Sequence, residues 1–325
     1  MGRATRAASA AALTSLLLLA ACTTDAPVAP DPVAPTPPTS TPSVPTEPEP
    51  EPTEAEPTEA GPAFDAAAAM ADVRLLAGRI GPRLATGPTY RRAGRLVERR
   101  FAELGYDVRR ETFGVPAGDS WGVPVEAGRS FNVVAEPPGL DPTRPHLVLG
   151  AHLDTVAVSP GAEDNASGVA VLLELARLAS TRPTRLPVVL IAFGAEEPRG
   201  PGDDLHHFGS QHHVRQLPPR RLEAVRAMVS LDRVGVGSVV PVCTGPLSPP
   251  RVRRSLLGTA ERIDVPANAC ENTASDHWSF EKAGVVVARL GSTSYAAYHS
   301  ADDVPSVVDR AQLARTGRLV WAWLR

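Results

Sequence analysis

The run Val188–Phe193 (VVLIAF) narrows the fold of this chain more than any other stretch, because six consecutive apolar residues leave no hydrated face. A strand with one wet face alternates polar and apolar residues. A continuous run of this length is a strand covered on both sides, as in α/β sheets. Glu196 and Glu197 follow almost at once, and Pro198 and Gly200 mark the loop that they open. Adjacent carboxylates repel, and each gains proton affinity unless a cation holds the pair. Open α/β sheets bind ligands at the carboxyl ends of their strands, which is where this pair stands.

The rest of the domain repeats the theme. Strand-like runs occur in YDVRRETF, SFNVVAEP, PHLVLGAHLD, AMVSLDRVG, SVVPVCTG and GVVVARLG. Helical patterns alternate with them. Asp65 caps a helix running to about Arg79, and Pro88 opens a second that stops before Gly105, with Ala93, Leu96, Val97, Phe101 and Leu104 as its apolar stripe. GVAVLLELARLAS is a third helix, and SVVDRAQLARTGRLVWAWL closes the chain as an amphipathic one. Such alternation predicts a single α/β domain with a mostly parallel sheet and helices on both faces.

The N-terminal 62 residues stand apart. Arg3 and Arg6 precede an apolar stretch, Ala7–Ala21, too short for a mature membrane span, so residues 1–21 read as a secretory leader. Its end, Leu19-Ala20-Ala21-Cys22, looks like the lipobox of bacterial lipoproteins, which implies cleavage before Cys22 and lipidation of its sulfur. From Ala26 to Pro62 come 13 prolines, seven acids and no base, a composition that builds no core. Residues 22–62 therefore read as an extended tether, and residues 63–325 as the folded domain. Formal net charge is −3, with the acids of the tether responsible for the excess, so nothing argues for nucleic acid. Outside the cytosol, Cys243 and Cys270 are either a disulfide worth about 3 kcal/mol or two buried thiols.

Residues able to hold a metal recur just after the strands. GAHLDTV presents His152 and Asp154, GAEDNASG presents Asp164, AEE presents Glu196 and Glu197, SLDRV presents Asp232, and YHSADD presents His299. Singly, each reads as a hydrogen-bonded structural residue or a helix cap. Together they close a charge sum: two zinc ions bring +4, Asp164, Glu197 and Asp232 bring −3, and a hydroxide brings −1, with His152 and His299 as neutral ligands. Glu196 is left over. A spare carboxylate beside a metal ligand is suited to take a proton from water.

GAHLDTV, GAEDNASGVA, AFGAEE, SLDRVG, TASDHWSF and YHSADD, in this order and spacing, resemble the zinc-dependent exopeptidases of metallopeptidase family 28, the aminopeptidase S-like branch. The resemblance covers nearly all of residues 64–325. It implies a zinc-dependent exopeptidase fold with a mixed sheet of about eight strands, two zinc ions as cofactors, and release of N-terminal residues from peptide substrates. Carried over by position, Asp164 bridges the two ions, His152 and Asp232 complete one site, Glu197 and His299 the other. Glu196 is then the general base, Tyr298 stabilises the oxyanion, and Asp154 and Asp303 orient the ligand histidines. A monomer is expected, held at the outer face of the cell membrane by the lipid on Cys22.

Two departures stand out. PRGPGDDLHHF, after Glu197, is longer than the family's usual turn and is either a rim of the substrate pocket or a solvated insertion. Arg233 stands where many relatives have Met and either meets a substrate carboxylate or pairs locally. Rival readings are a glutaminyl cyclase on the same fold, a lipoprotein that only binds metal or peptide, and a serine hydrolase built on Gly118, Ser120 and Gly122. The last needs a strand–turn–helix around Ser120, which Pro116 and Pro124 oppose.

Overall fold

The computed structural model describes residues 63–325; the expected leader, Cys22 and the Pro- and Glu-rich segment lie outside the described residues. Among the described residues no helix is long and apolar enough to cross a membrane.

The described residues form ten strands, β1 (Asp107–Val115), β2 (Gly118–Asp119), β3 (Pro124–Val125), β4 (Gly128–Glu136), β5 (His146–His152), β6 (Val188–Phe193), β7 (Val225–Leu231), β8 (Val240–Thr244), β9 (Ala267–Glu271) and β10 (Val287–Leu290). Eight of them make one sheet in the order β1-β4-β6-β5-β7-β10-β8-β9, while β2 and β3 form a small hairpin. The four central strands, β6-β5-β7-β10, are parallel, and β1, β4 and β8 run antiparallel to their inner neighbours. A mixed eight-stranded α/β sheet was the expectation.

The helices are α1 (Ala66–Val73), α2 (Pro88–Glu103), α3 (Gly168–Thr181), α4 (Phe208–Gln216), α5 (Pro219–Ala224), α6 (Arg251–Arg262), α7 (His277–Lys282) and α8 (Arg310–Leu324). Strand periodicity distributes the core between the two faces of the sheet. Val188, Leu190 and Ala192 of β6 point to one face, with residues of α1, α2, α3, α6 and α8, while Val189, Ile191 and Phe193 point to the other, against Met228 and Phe280. This is why Val188–Phe193 carries no polar residue.

Local chemistry explains the helix starts. Asp65 accepts hydrogen bonds from the Ala67 and Ala68 N–H groups at 2.8 and 3.0 Å, and Pro88 occupies the first turn of α2, where its missing N–H costs nothing. The first helix differs from the sequence pattern: beyond Val73 it widens into a π-helical segment, Arg74–Ile80. Strand β9 has no counterpart in the sequence-based expectations, because it lies at the sheet edge with Asn268, Ala269 and Glu271 exposed and offers no apolar run.

Cys243 of β8 and Cys270 of β9 are register partners and are joined by a disulfide, which pins that exposed edge strand to the sheet. The cross-link spans 27 residues. Loop-closure entropy for that span corresponds to about 3.5 kcal/mol. We predict that Cys243→Ser lowers the unfolding free energy in urea by about 3 kcal/mol; an unchanged midpoint would show that the sheet edge is held by its other contacts.

Candidate active site

The four parallel strands end side by side, and each delivers part of one cluster. His152 is the last residue of β5; Glu196 and Glu197 follow β6; Asp232 follows β7; Tyr298 and His299 lie in the loop after β10. Asp164 comes from the irregular turn between β5 and α3, with φ −110° and ψ 85°, and the Asp164–Asn165 peptide is cis. The helix cap in this turn is Asn165, whose side-chain oxygen accepts from the Gly168 N–H at 3.0 Å. Asp164 is thereby free of the capping role that its position before a helix suggested.

Asp164 lies between the two histidines. Its Oδ1 is 3.1 Å from His152 Nε2, and its Oδ2 is 3.2 Å from His299 Nε2. Asp232 Oδ1 is 3.7 Å from His152 Nε2, and Glu197 Oε2 is 3.1 Å from His299 Nε2. These are two groups of donors that share one carboxylate, all of them buried. Donor atoms of His152, Asp164 and Glu197 also lie within 4.8 Å of one another, as do those of His152, Glu196 and Asp232. The second of these groupings draws Glu196 toward the first site as well.

The adjacent glutamates are held by a third carboxylate. Asp154 Oδ1 and Oδ2 accept the backbone N–H groups of Glu196 and Glu197 at 3.0 and 3.2 Å, which fixes the direction of both side chains. This corrects one expectation. His152 Nδ1 bonds the Asp154 carbonyl at 3.2 Å, whereas the Asp154 carboxylate is 3.9 Å away and engaged by the loop. Asp303 differs likewise. It accepts from the Glu163 and Asp164 N–H groups at 2.8 and 3.1 Å and from the Tyr295 hydroxyl, so it positions the Asp164 backbone and not a histidine.

Charges within the cluster compete. Burial pushes the Glu197 carboxyl up to about 8, helped by the neighbouring charge of Asp164. Burial acts against the His299 cation too, but Glu197 and Asp164 raise it to about 10, and His152 is likewise held well above the usual range by Glu196, Asp164 and Asp232. Glu196 is burdened by burial yet lowered by His152 and His207. Four carboxylates packed this tightly need cations. Imidazole nitrogens and carboxylate oxygens suit zinc, so the donor set fits two divalent ions sharing Asp164.

Several contributors were not legible in the sequence. Arg289, fully buried on β10, places Nη2 3.0 Å from Asp232 Oδ2 and also donates to Asn272 Oδ1 and the Ala274 carbonyl. Arg83, also fully buried, donates to the carbonyls of Leu76, Gly81, Leu153, Pro160 and Gly161, tying the π-helical segment and its end to the loop after β5. Gly291 is required by close approach: at φ 109° a Cβ there would sit 2.0 Å from the Asp232 carbonyl oxygen.

The Pro198–Phe208 loop lies at the pocket, with Pro198, His206 and His207 in the lining. His207 is buried, its Nε2 is 3.3 Å from Glu196 Oε1, and its N–H donates to the Glu196 carbonyl at 2.9 Å. Asp203 at the loop's tip pairs with Lys282 and accepts from Trp278 Nε1. Opposite, Tyr298 stacks on His299 with ring centroids 3.8 Å apart, and the Trp121 ring meets the edge of His299 at 4.4 Å. Trp121 comes from the β2–β3 hairpin, whose Ser120 Oγ is occupied by the Ala157 N–H at 3.0 Å. No helix follows Ser120, and a nucleophile elbow is absent there.

Comparison with known proteins bears on the family and the fold. The sequence profile of peptidase family M28 matches residues 132–324. Aminopeptidase YwaD of Bacillus subtilis is 33% identical over 187 residues, 54% of this chain and 40% of that protein. Leupeptin-inactivating enzyme 1 of Streptomyces exfoliatus is 31% identical over 167 residues, 50% of this chain and 36% of that protein. The matched part of the chain thus spans about 40% of the length of these relatives or less. Among solved structures, a zinc aminopeptidase from Bacillus subtilis superposes with a TM-score of 0.71 at 20% identity, covering 80% of this chain and 94% of the other. A glutaminyl cyclase of Porphyromonas gingivalis gives 0.69 at 22% identity, with 80% and 98% covered. With a family match across most of the folded domain and the same fold in these neighbours, the chain belongs to peptidase family M28.

Proposed function

We propose that this protein is a two-zinc aminopeptidase that removes N-terminal residues from peptides. The observation that carries this reading is the sharing of Asp164 between two sets of buried donors, with Glu196 beside them. His152 and Asp232 would hold one ion, Glu197 and His299 the other, and Asp164 would serve both. Bound there, such a pair lowers the pKa of water and polarises a scissile carbonyl.

The chain's own residues do the rest. Glu196 turns Oε2 toward His152, 3.9 Å from its Nε2, while Oε1 faces His207. In the reaction Glu196 accepts a proton from the attacking water and returns it to the leaving nitrogen. The water's oxygen bonds the carbonyl carbon as the C–N bond breaks. Tyr298, braced against His299, sits at the mouth with its hydroxyl available to the carbonyl oxygen as negative charge grows there. His207 orients Glu196 from the side away from the ions. Residues 1–21 export the chain, and a lipid on Cys22 holds it at the outer face of the cell membrane, with residues 23–62 as the tether.

The fold is shared with glutaminyl cyclases, so the test includes their chemistry. The full chain and Glu196→Gln are assayed on aminoacyl anilides, short peptides and N-terminal glutaminyl peptides. We expect the parent to release N-terminal residues and to lose activity to a chelator, with zinc restoring it. Glu196→Gln should retain zinc and lose on the order of 10² to 10⁴ in kcat, the usual worth of a general base. Zinc bound with no aminoacyl bond cleaved, and N-terminal glutamine cyclised instead, would replace the aminopeptidase by a cyclase.

A further inference from the structure

The pocket in front of the metal-binding residues has a lining of unusual character. It includes two aromatic rings, Trp121 and Tyr298, and two guanidinium groups, Arg233 and Arg289, but no Leu, Ile, Val, Met or Phe. A pocket for an aliphatic side chain is lined by such residues. Here the chemistry points elsewhere.

Arg289 is engaged through both terminal nitrogens, Nη2 with Asp232 and Nη1 with Asn272 and Ala274. Arg233 is not. Its closest carboxylate oxygen, Asp232 Oδ1, is 3.7 Å from Nε, beyond hydrogen-bond reach, and Asp232 already receives Arg289 on its other oxygen. One carboxylate cannot neutralise two guanidinium groups, and Asp232 is also a donor of the metal-binding cluster. The Arg233 side chain is only 15% exposed, and its guanidinium carbon lies 4.5 Å above the Tyr298 ring. Stacking of this kind orients the planar fork and leaves its edge free for an anion.

The backbone aims it. Arg233 has φ 58°, a left-handed conformation unfavourable for a long side chain, and its N–H is held by Asn165 Oδ1 at 3.2 Å. Conformations of this type persist where the surroundings enforce them, and they gather at ligand-binding sites. Asn165 is the neighbour of Asp164, so the same turn that presents the shared carboxylate also directs Arg233 into the pocket.

We propose that Arg233 is a specificity residue that receives a carboxylate of the substrate beside the scissile bond. This rests on the peptidase reading above. The carboxylate has two sources, the side chain of an acidic N-terminal residue or the free C-terminus of a dipeptide, and both present the planar pair of oxygens that a guanidinium fork binds.

The test uses the full zinc-loaded chain and two substrate pairs. Glutamyl against leucyl anilide reads the side chain, and leucyl-glycine against leucyl-glycinamide reads the terminal carboxylate. In at least one pair kcat/KM should favour the carboxylate at least tenfold. Arg233→Met should bring that ratio within threefold, chiefly through KM, and Arg233→Lys should recover part of it. Ratios within threefold in both pairs for the parent, or a preference that survives in Arg233→Met, would overturn the proposal. Should Arg233→Met not fold, the parent's own ratios and Arg233→Lys decide. If the parent cleaves none of the four compounds, the peptidase reading fails on its own account. The same pairs are then compared as ligands by calorimetry, where equal affinities with and without the carboxylate would overturn the role of Arg233 and a tenfold difference lost in Arg233→Met would sustain it.

Discussion

One buried carboxylate organises this site. Asp164 faces His152 with one oxygen and His299 with the other, at 3.1 and 3.2 Å, and those histidines come from the end of β5 and from the loop after β10. A carboxylate in that position must be held without using its oxygens. The fold does so through the backbone: Asp303 accepts the Glu163 and Asp164 N–H groups, and Asn165 bonds the Leu231 carbonyl and the N–H groups of Gly168 and Arg233. Both Asp164 oxygens therefore remain available to ligands. The same device serves the glutamates, whose N–H groups go to Asp154.

A second layer of buried charge keeps these loops in place. Glu163 accepts from Gly235 and Val236, drawing the loop after Asp232 against the turn that carries Asp164. Burial raises its proton affinity well above the usual, while the Gly235 N–H and the Ser167 hydroxyl favour the ionised form. Arg83 gives its guanidinium to carbonyl oxygens alone, and Arg289 supports Asp232 from behind. Each such group is costly to bury without partners, and here each satisfies backbone or carboxylate atoms that a loop would otherwise leave unpaired. Precision at the donors thus depends on polar contacts more than on the apolar core beneath them.

Much of this was legible in the sequence where burial leaves a pattern. Val188–Phe193 and the run within PHLVLGAHLD announce central strands because both faces are covered, and the donors follow them because strand ends are where a parallel sheet opens. Strand β9 left no pattern because it is an edge with a wet face. Strand order was not legible, since register is set by pairing between distant segments. Arg289 reads in VVVARLG as an ordinary polar residue, and only the fold brings it to Asp232. The role of Asp303 was misread for a related reason. The family position suggested that it orients a histidine ring, while the folded loop offers it two N–H groups that make a better partner.

If Asp164 serves both metal positions, zinc stoichiometry depends on it. The full chain and Asp164→Ala, each dialysed against zinc and then against metal-free buffer, are compared by elemental analysis, with circular dichroism to verify folding. About two zinc ions per parent chain are expected, with loss of tight binding at both positions in the folded variant, since both ions would rely on the same carboxylate. Retention of one or both ions by a folded Asp164→Ala, or a parent that saturates at a single ion, would contradict that shared role.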